Sequence, residues 1–308
     1  MLSDIYTTCF IKGLDTADLK EAKALFEELV RRASGKSGRA MKSIESNKLN
    51  DIAAVYGGPQ GELYALLMGQ QLHVGGMNAS LDLAQRAGVG AGQSGIDLCC
   101  GNGGGMRVLV RFREVAAMVG VDLTSRNVER GEQLCREEGL ADRIRLVAGD
   151  ACASGLPEAC ADFVWGEDAW CYVPDKEKLA AEAARLVRPG GVIAFTDWVE
   201  GPVELNPEEA RRALSLMNFA NVLDVPGYLG LLRGNGCEVQ IAEDTERLAM
   251  FFDLALKMIE MQLTYDVLAT VQFRTDVLKI ITESFRFLRD LAQAHKLIQA
   301  RFVAKRRT

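Results

Sequence analysis

The stretch that most restricts the fold runs from Ser94 to Asp122, SGIDLCCGNGGGMRVLVRFREVAAMVGVD. A short apolar strand is predicted to end in Asp97, and a glycine-dense turn follows, Gly101-Asn102-Gly103-Gly104-Gly105. An amphipathic helix comes next, then a second strand, Val115 to Val121, that stops at Asp122. Strand, glycine turn, helix, strand is half of a nucleotide-binding α/β unit. Glycine lets backbone approach a ligand where a Cβ would clash, and the helix start offers unpaired N–H groups. Asp122 falls 19 residues after Gly103, about where an acid accepts hydrogen bonds from ribose hydroxyls.

The spacing narrows the choice. A dinucleotide fingerprint needs Gly-x-Gly-x-x-Gly, and counting from Gly101 puts Met106 in the last place. What fits is an acid four residues before Gly-x-Gly, as in Asp97-Leu-Cys-Cys-Gly101-Asn-Gly103. Here the chain resembles the class I methyltransferases that use S-adenosylmethionine, whose first motif reads D-x-G-x-G-x-G. Cys99 stands where that family usually has its first glycine. Its side chain is small, so a slightly tighter loop with binding retained is expected.

The rest of the chain keeps the α/β rhythm. A helix is expected at 124–139, capped by Thr124 or Ser125 and stopped by Gly139. Strands are expected at 143–148, 162–166 and 191–198, with a helix at 176–187 broken by Arg188-Pro189-Gly190-Gly191. Alternation of this kind indicates a parallel sheet wound on both faces. Helices are expected at 207–221 and 228–235, a sixth strand at 237–242, and a long helical tract at 245–294. In that tract Phe252, Ala255, Ile259 and Leu263 form one stripe, and Val277, Ile281, Phe285, Leu288 and Leu291 another. Residues 296–305 alternate like a strand. Ahead of the glycine turn lie a helix at 17–33, a polar linker at 34–50, and further helical character at 49–56 and 62–68.

Composition excludes several classes. With 36 basic and 42 acidic residues, net −6, the surface does not favour nucleic acid. No run of eighteen apolar residues is present, so no membrane span is expected. Eight cysteines lack paired metal spacing, and two histidines make a zinc site a poor expectation. A reduced, cytoplasmic enzyme is the simplest reading.

The resemblance, carried motif by motif from Gly95 to Trp198, implies a Rossmann-like α/β fold. Its sheet would have seven strands, mostly parallel, with the last antiparallel. Three regions follow: a helical segment at 1–76 contributing to a cap, a cofactor-binding core at 77–200, and residues 201–308 with cap insertions (207–235, 245–294) and a final strand. By the same resemblance Asp97, Cys99, Gly101, Gly103 and Glu167 would lie along the cofactor. Asp122 would face the ribose, Leu123 the adenine ring, and Asp150 with Ala151 the adenine edge, with Asn127 also among the cofactor-binding residues. The cofactor would be S-adenosylmethionine, leaving as S-adenosylhomocysteine, with no metal. Segment 69–76, GQQLHVGG, is similar to one that closes the site in methyltransferases of small amines and in those of tocopherol biosynthesis. His73 in it is then a closing residue or a base; a capping or core histidine is the other reading.

Aromatic and acidic residues follow the fourth and fifth strands: Glu167, Trp170 and Tyr172, then Trp198. Such faces suit a cationic amine, though Trp170 and Tyr172 could equally pack beneath the helical insertion. The resemblance is to the sarcosine/dimethylglycine, phosphoethanolamine and tocopherol methyltransferase subgroup. It implies transfer to nitrogen of a small amine, with carbon or oxygen of a quinone-like or natural-product acceptor as the alternative. A non-catalytic cofactor-binding subunit is a third reading. A small-molecule acceptor, no nucleic acid and a monomer or homodimer complete the expectation.

Overall fold

The computed structural model describes residues 59–308; the helices expected at 17–33 and 49–56 and the linker between them lie outside the described residues. Seven strands form one sheet: β1 Ser94–Leu98, β2 Ala117–Asp122, β3 Ile144–Ala148, β4 Ala161–Glu167, β5 Val187–Glu200, β6 Cys237–Asp244 and β7 Leu297–Arg306. Their order across the sheet is β3-β2-β1-β4-β5-β7-β6. The first five pair in parallel, while β7 runs antiparallel to both β5 and β6. The sheet is therefore the expected one. β5 begins earlier than position 191, because Arg188 to Gly191 continue the strand past an irregularity opposite 161–163.

Parallel pairing sets the site. Asp97 lies opposite Gly120 and Trp165, Asp122 opposite Ala148, and Glu167 opposite Thr196. All these strands end at one edge, which is where open α/β sheets bind ligands.

Alternation along the strands divides the core between two faces. Phe163 and Trp165 pack with Met106, Leu109, Met118 and Leu83 on one side. Val164, Ile193, Phe195 and Phe302 pack with Leu179, Leu186, Tyr228 and Leu232 on the other. Each such large apolar side chain contributes on the order of 1.5–3 kcal/mol on burial. The helices that supply these partners are α2 Gly76–Ala87, α3 Gly104–Phe112, α4 Ser125–Glu137, α5 Lys176–Leu186 and α7 Val225–Gly234. Preceding them is α1 Pro59–Met68.

Two features of the expected cap are corrected. α7 was placed in a cap insertion, but it packs on β6 and α5 and buries Tyr228 and Leu232 in the sheet core. The tract at 245–294 is not continuous: α8 Leu248–Lys257, a π turn Met258–Gln262, α9 Thr264–Thr270 and α10 Thr275–Gln293 follow one another. The break before α10 falls at Gln272 and Phe273, both left-handed with φ 55° and 59°.

What stands beside the carboxyl edge is α6 Pro207–Met217, started by an Asn206–Glu209 capping box, together with α1 and α8. α8 packs along α10, and α9 touches α1. Both stripes read from the sequence are inward-facing: Phe252 meets the Trp198 ring edge-on at 5.8 Å and Phe285 at 5.6 Å. Among the described residues no helix is long and apolar enough to cross a membrane.

Candidate cofactor and acceptor site

The turn after β1 is built by backbone geometry. Cys99 is left-handed at φ 67°, followed by Gly101 at 55° and Gly103 at 74°. The left-handed region favours glycine because it crowds a Cβ, which is the physical reason a glycine would suit position 99. Cys99 N–H and Cys100 N–H both donate to Val121 O, at 2.8 and 3.1 Å, tying the turn to β2. The turn becomes α3 at Gly104.

Segment 69–75 lies across the start of α3. A Cβ on Gly104 would come within 2.5 Å of Gln70 O, and one on Gly105 would overlap Glu167 Oε2. Arg107 fastens the crossing, donating to Asn102 O at 2.6 Å and to Gln70 Oε1 at 3.2 Å.

Beneath this crossing is a cavity of about 490 Å³, lined at one end by Leu123, Asn127, Asp150 and Ala151 and at the other by Asp97, Glu167 and His73. Asp122 forms its middle wall. Gly101 N–H donates to Asp122 Oδ2 at 2.8 Å, Thr124 N–H to Oδ1 at 2.9 Å, and Asn127 Nδ2 to Oδ1 at 3.5 Å. Burial raises the Asp122 pKa, although the Thr124 and Gly101 N–H groups oppose it. Asp97 is raised well above the usual range, first by burial and then by Glu167 and Asp122 beside it. Its Oδ1 is buried without a hydrogen-bond partner while the residue lines the cavity.

These residues fit S-adenosylmethionine. A cationic ammonium would satisfy the orphaned Asp97 oxygen, and the acid-rich wall favours a sulfonium. Leu123 is 42% exposed, leaving an apolar surface for a flat base, while Asp122 and Asp150 offer acceptors. Among the described residues no three-member group of His, Cys, Asp or Glu is arranged to hold a metal.

A smaller chamber of about 20 Å³ adjoins the first and shares Leu72, His73, Asp168 and Tyr172 with it; Tyr64, Met68, Trp198 and Met217 close it. His73 is buried, its Nε2 lying 3.2 Å from Ser80 Oγ and 3.6 Å from Glu167 Oε2.

Of the residues named from the sequence, Asp97, Cys99, Gly101, Asp122, Leu123, Asn127, Asp150, Ala151, Glu167, His73 and Tyr172 all line the larger cavity, and Trp198 lines the smaller. Two do not. Gly103 shapes the turn, with a notional Cβ facing Met106 and Leu146 rather than the cavity. Trp170 is core: 1% exposed and stacked on Phe195 at 4.0 Å, it points under the sheet edge because the 3₁₀ turn Trp170–Tyr172 presents Tyr172 outward instead. Sequence reasoning missed Gly105, Asp168 and Tyr64. Gly105 sits in the glycine run and was legible there; Tyr64 and Asp168 carry no local signal.

Strand order, acid–glycine turn and acids along the carboxyl edge together define a class I methyltransferase domain. Residues 96–195 match the family model described as a methyltransferase domain, and the chain carries a class I S-adenosylmethionine-dependent methyltransferase domain. A sterol 24-C-methyltransferase of Eremothecium gossypii is 34% identical over 158 residues, 51% of this chain and 40% of that protein. The match thus spans under half of that relative's length. Among solved structures, phosphoethanolamine N-methyltransferase 2 of Haemonchus contortus, bound to phosphomonomethylethanolamine and S-adenosylhomocysteine, superposes with TM-score 0.76 at 20% identity, covering 86% of this chain and 61% of that one. A geranyl diphosphate C-methyltransferase of Streptomyces coelicolor gives 0.66 at 16% identity, covering 86% and 100%.

Proposed function

We propose that the protein transfers a methyl group from S-adenosylmethionine to a small, largely apolar acceptor, and that the accepting atom is carbon. The observation that carries this reading is the lining of the smaller chamber. Leu72, Met68, Met217, Tyr64, Tyr172 and Trp198 surround it together with His73 and Asp168, and among the described residues no lysine or arginine lines it. An amino-acid acceptor would leave its carboxylate unpaired there, at a desolvation cost of several kcal/mol. Arginines of the neighbouring helices are engaged elsewhere: Arg211 is 4.0 Å from Glu208 and Arg212 lies over the Phe287 ring, and Arg233 is not part of either lining. Similarity to a sterol 24-C-methyltransferase over half of the chain supports the same choice.

The bound cofactor supplies an electrophilic methyl on sulfur. The chain's own residues hold the acceptor in line with it and exclude water. When a carbon–carbon double bond gives its π pair to the methyl, the acceptor becomes cationic. Glu167 and the Tyr172 and Trp198 faces stabilise that charge. Proton loss completes the reaction, and His73, which lines both chambers beside Glu167, is placed to serve as the base. The same acids and aromatics would accept an ammonium, so nitrogen transfer to an amine without a carboxylate is the second reading.

The test is incubation with methyl-tritiated S-adenosylmethionine and a panel of apolar alkenes, phenols, simple amines, sarcosine and dimethylglycine. Label on carbon in a solvent-extractable alkene product, or on a ring carbon of a phenol, is expected. Label confined to sarcosine or dimethylglycine would overturn the apolar reading.

A further inference from the structure

Segment 69–75 carries His73 and Leu72 across both chambers, yet it has no regular secondary structure to hold it. Buried backbone groups in such a segment must find partners elsewhere. Val74, 1% exposed, finds both of its partners in one place. Its N–H donates to Asp168 Oδ2 at 2.8 Å, and its carbonyl accepts from Gln299 Nε2 at 3.3 Å. Gln299 Nε2 also reaches the Asp168 carboxylate, at 2.6 and 2.8 Å. Gln299 is fixed in turn: its Oε1 is 2.6 Å from Thr245 Oγ1, and its carbonyl accepts from Thr245 N–H at 2.8 Å. Asp168, Gln299 and Thr245 are all buried.

An aspartate buried here next to Glu167 is costly unless its oxygens are paired. Asp168 is also left-handed, φ 52°, and its N–H is anchored to Thr196 O at 2.9 Å. An apolar pair at this spot would strand both backbone groups of Val74. The pair grips the one residue that follows His73, and Asp168 is itself the residue that follows Glu167.

We propose that Asp168 and Gln299 are positioning residues: they clamp the Val74 backbone and so hold His73 and Leu72 over the cofactor cavity, with His73 beside Glu167. The inference rests on the cofactor reading above. Loosening the clamp lets segment 69–75 lift, and the cofactor product leaves faster.

The test uses the full chain with S-adenosylhomocysteine as probe. Gln299→Glu sets two carboxylates against each other. The dissociation rate of S-adenosylhomocysteine should then rise about tenfold, the worth of roughly one hydrogen bond. Adding Asp168→Asn to Gln299→Glu removes the carboxylate clash and keeps an acceptor for Val74 N–H, but leaves the Val74 carbonyl without its donor. It should restore only part of the lost retention, to a rate between those of the single variant and the parent. The chain has only two histidines, His73 and His295, so ring resonances give an independent readout. Those of His73 should shift and broaden in Gln299→Glu and move part of the way back in the double variant, while those of His295 stay unmoved. Should Gln299→Glu not fold, Gln299→Met removes the amide without adding charge and carries the same expectations except rescue. Unchanged His73 signals and an unchanged dissociation rate in a folded single variant overturn the proposal. A parent protein that does not bind S-adenosylhomocysteine overturns the cofactor reading instead, and the His73 signals then still decide the clamp.

Discussion

Replacing Asp122 by Ala separates the cofactor reading from its competitors. Both oxygens of Asp122 are already engaged on one side, by Gly101 N–H at 2.8 Å and Thr124 N–H at 2.9 Å. Oδ2 keeps a second lone pair, and Oδ1, reached also by Asn127 Nδ2 at 3.5 Å, can exchange that long bond for a ribose hydroxyl in the cavity that the residue lines. Two ribose hydroxyls donating there make charge-assisted bonds, whose loss together costs about 2–3 kcal/mol once water in the cavity compensates. At 1.36 kcal/mol per decade this is roughly a 30- to 150-fold loss of affinity. The variant also strands the N–H groups of Gly101 in the glycine turn and Thr124 at the start of α4, at about 1–3 kcal/mol each, so the unliganded protein should melt lower. Asp122→Asn should not rescue binding, because its NH₂ must face one of those two donors. Titration calorimetry with S-adenosylhomocysteine, at a parent affinity on the order of micromolar, about −8 kcal/mol, measures the change. Binding of Asp122→Ala within threefold of the parent would refute the reasoning, as would tight NADH binding by the parent.

Three further outcomes are expected. Burial, opposed by Lys176 and the Tyr228 hydroxyl, raises the Asp197 carboxyl from 3.8 to about 6. An acid that holds its proton more tightly when folded gives stability that is full below the unfolded pKa and lost as pH rises through the folded one. Asp197 should therefore contribute a decline of up to about 3 kcal/mol between pH 4 and 6. Denaturant unfolding of Asp197→Asn, whose carbonyl can accept from Cys171 N–H while its NH₂ donates to the Tyr228 oxygen, should lack that portion of the slope; an identical slope sinks the assignment. Gly105→Ala places a methyl on Glu167 Oε2 and should cut turnover about 100-fold through displacement of that carboxylate, whereas full turnover would show that Glu167 is not placed by α3. Trp170→Ala should cost about 3–5 kcal/mol of stability without changing acceptor preference in the labelled-methyl panel; a switch of acceptor would return Trp170 to the site.

The part of the fold legible in the sequence is the part governed by local signals. Apolar runs ended by Asp97, Asp122 and Gly149-Asp150 specified strands whose parallel order follows from right-handed crossovers, and the sheet has that order. The stripes in 245–294 also faced inward, as Phe252 and Phe285 do. Periodicity alone could not say what α7 packs on, because an amphipathic helix suits a cap as well as a sheet face. Its N-cap Asp224 and the buried Tyr228–Asp197 bond at 2.5 Å settle it against the sheet, and neither is visible without the fold.

The cofactor end of the site was legible for the same reason: its residues sit at strand ends or in the glycine run, where one-dimensional spacing is also three-dimensional placement. The acceptor end is assembled from segments far apart in sequence, Tyr64 and Leu72 against Trp198 and Met217, so no spacing rule reaches it. Trp170 and Tyr172 show how finely this turns. Both are aromatics after β4, yet a single 3₁₀ turn sends one into the core and the other to the cavity. Asp168 and Gln299 are separated by 131 residues and look in sequence like a turn acid and a strand amide. Only the antiparallel pairing of β7 with β5, which sets Gln299 opposite Trp198, brings the amide to the end of β4. The strand most distant in sequence from the glycine turn thus supplies the group that holds the loop closing over it.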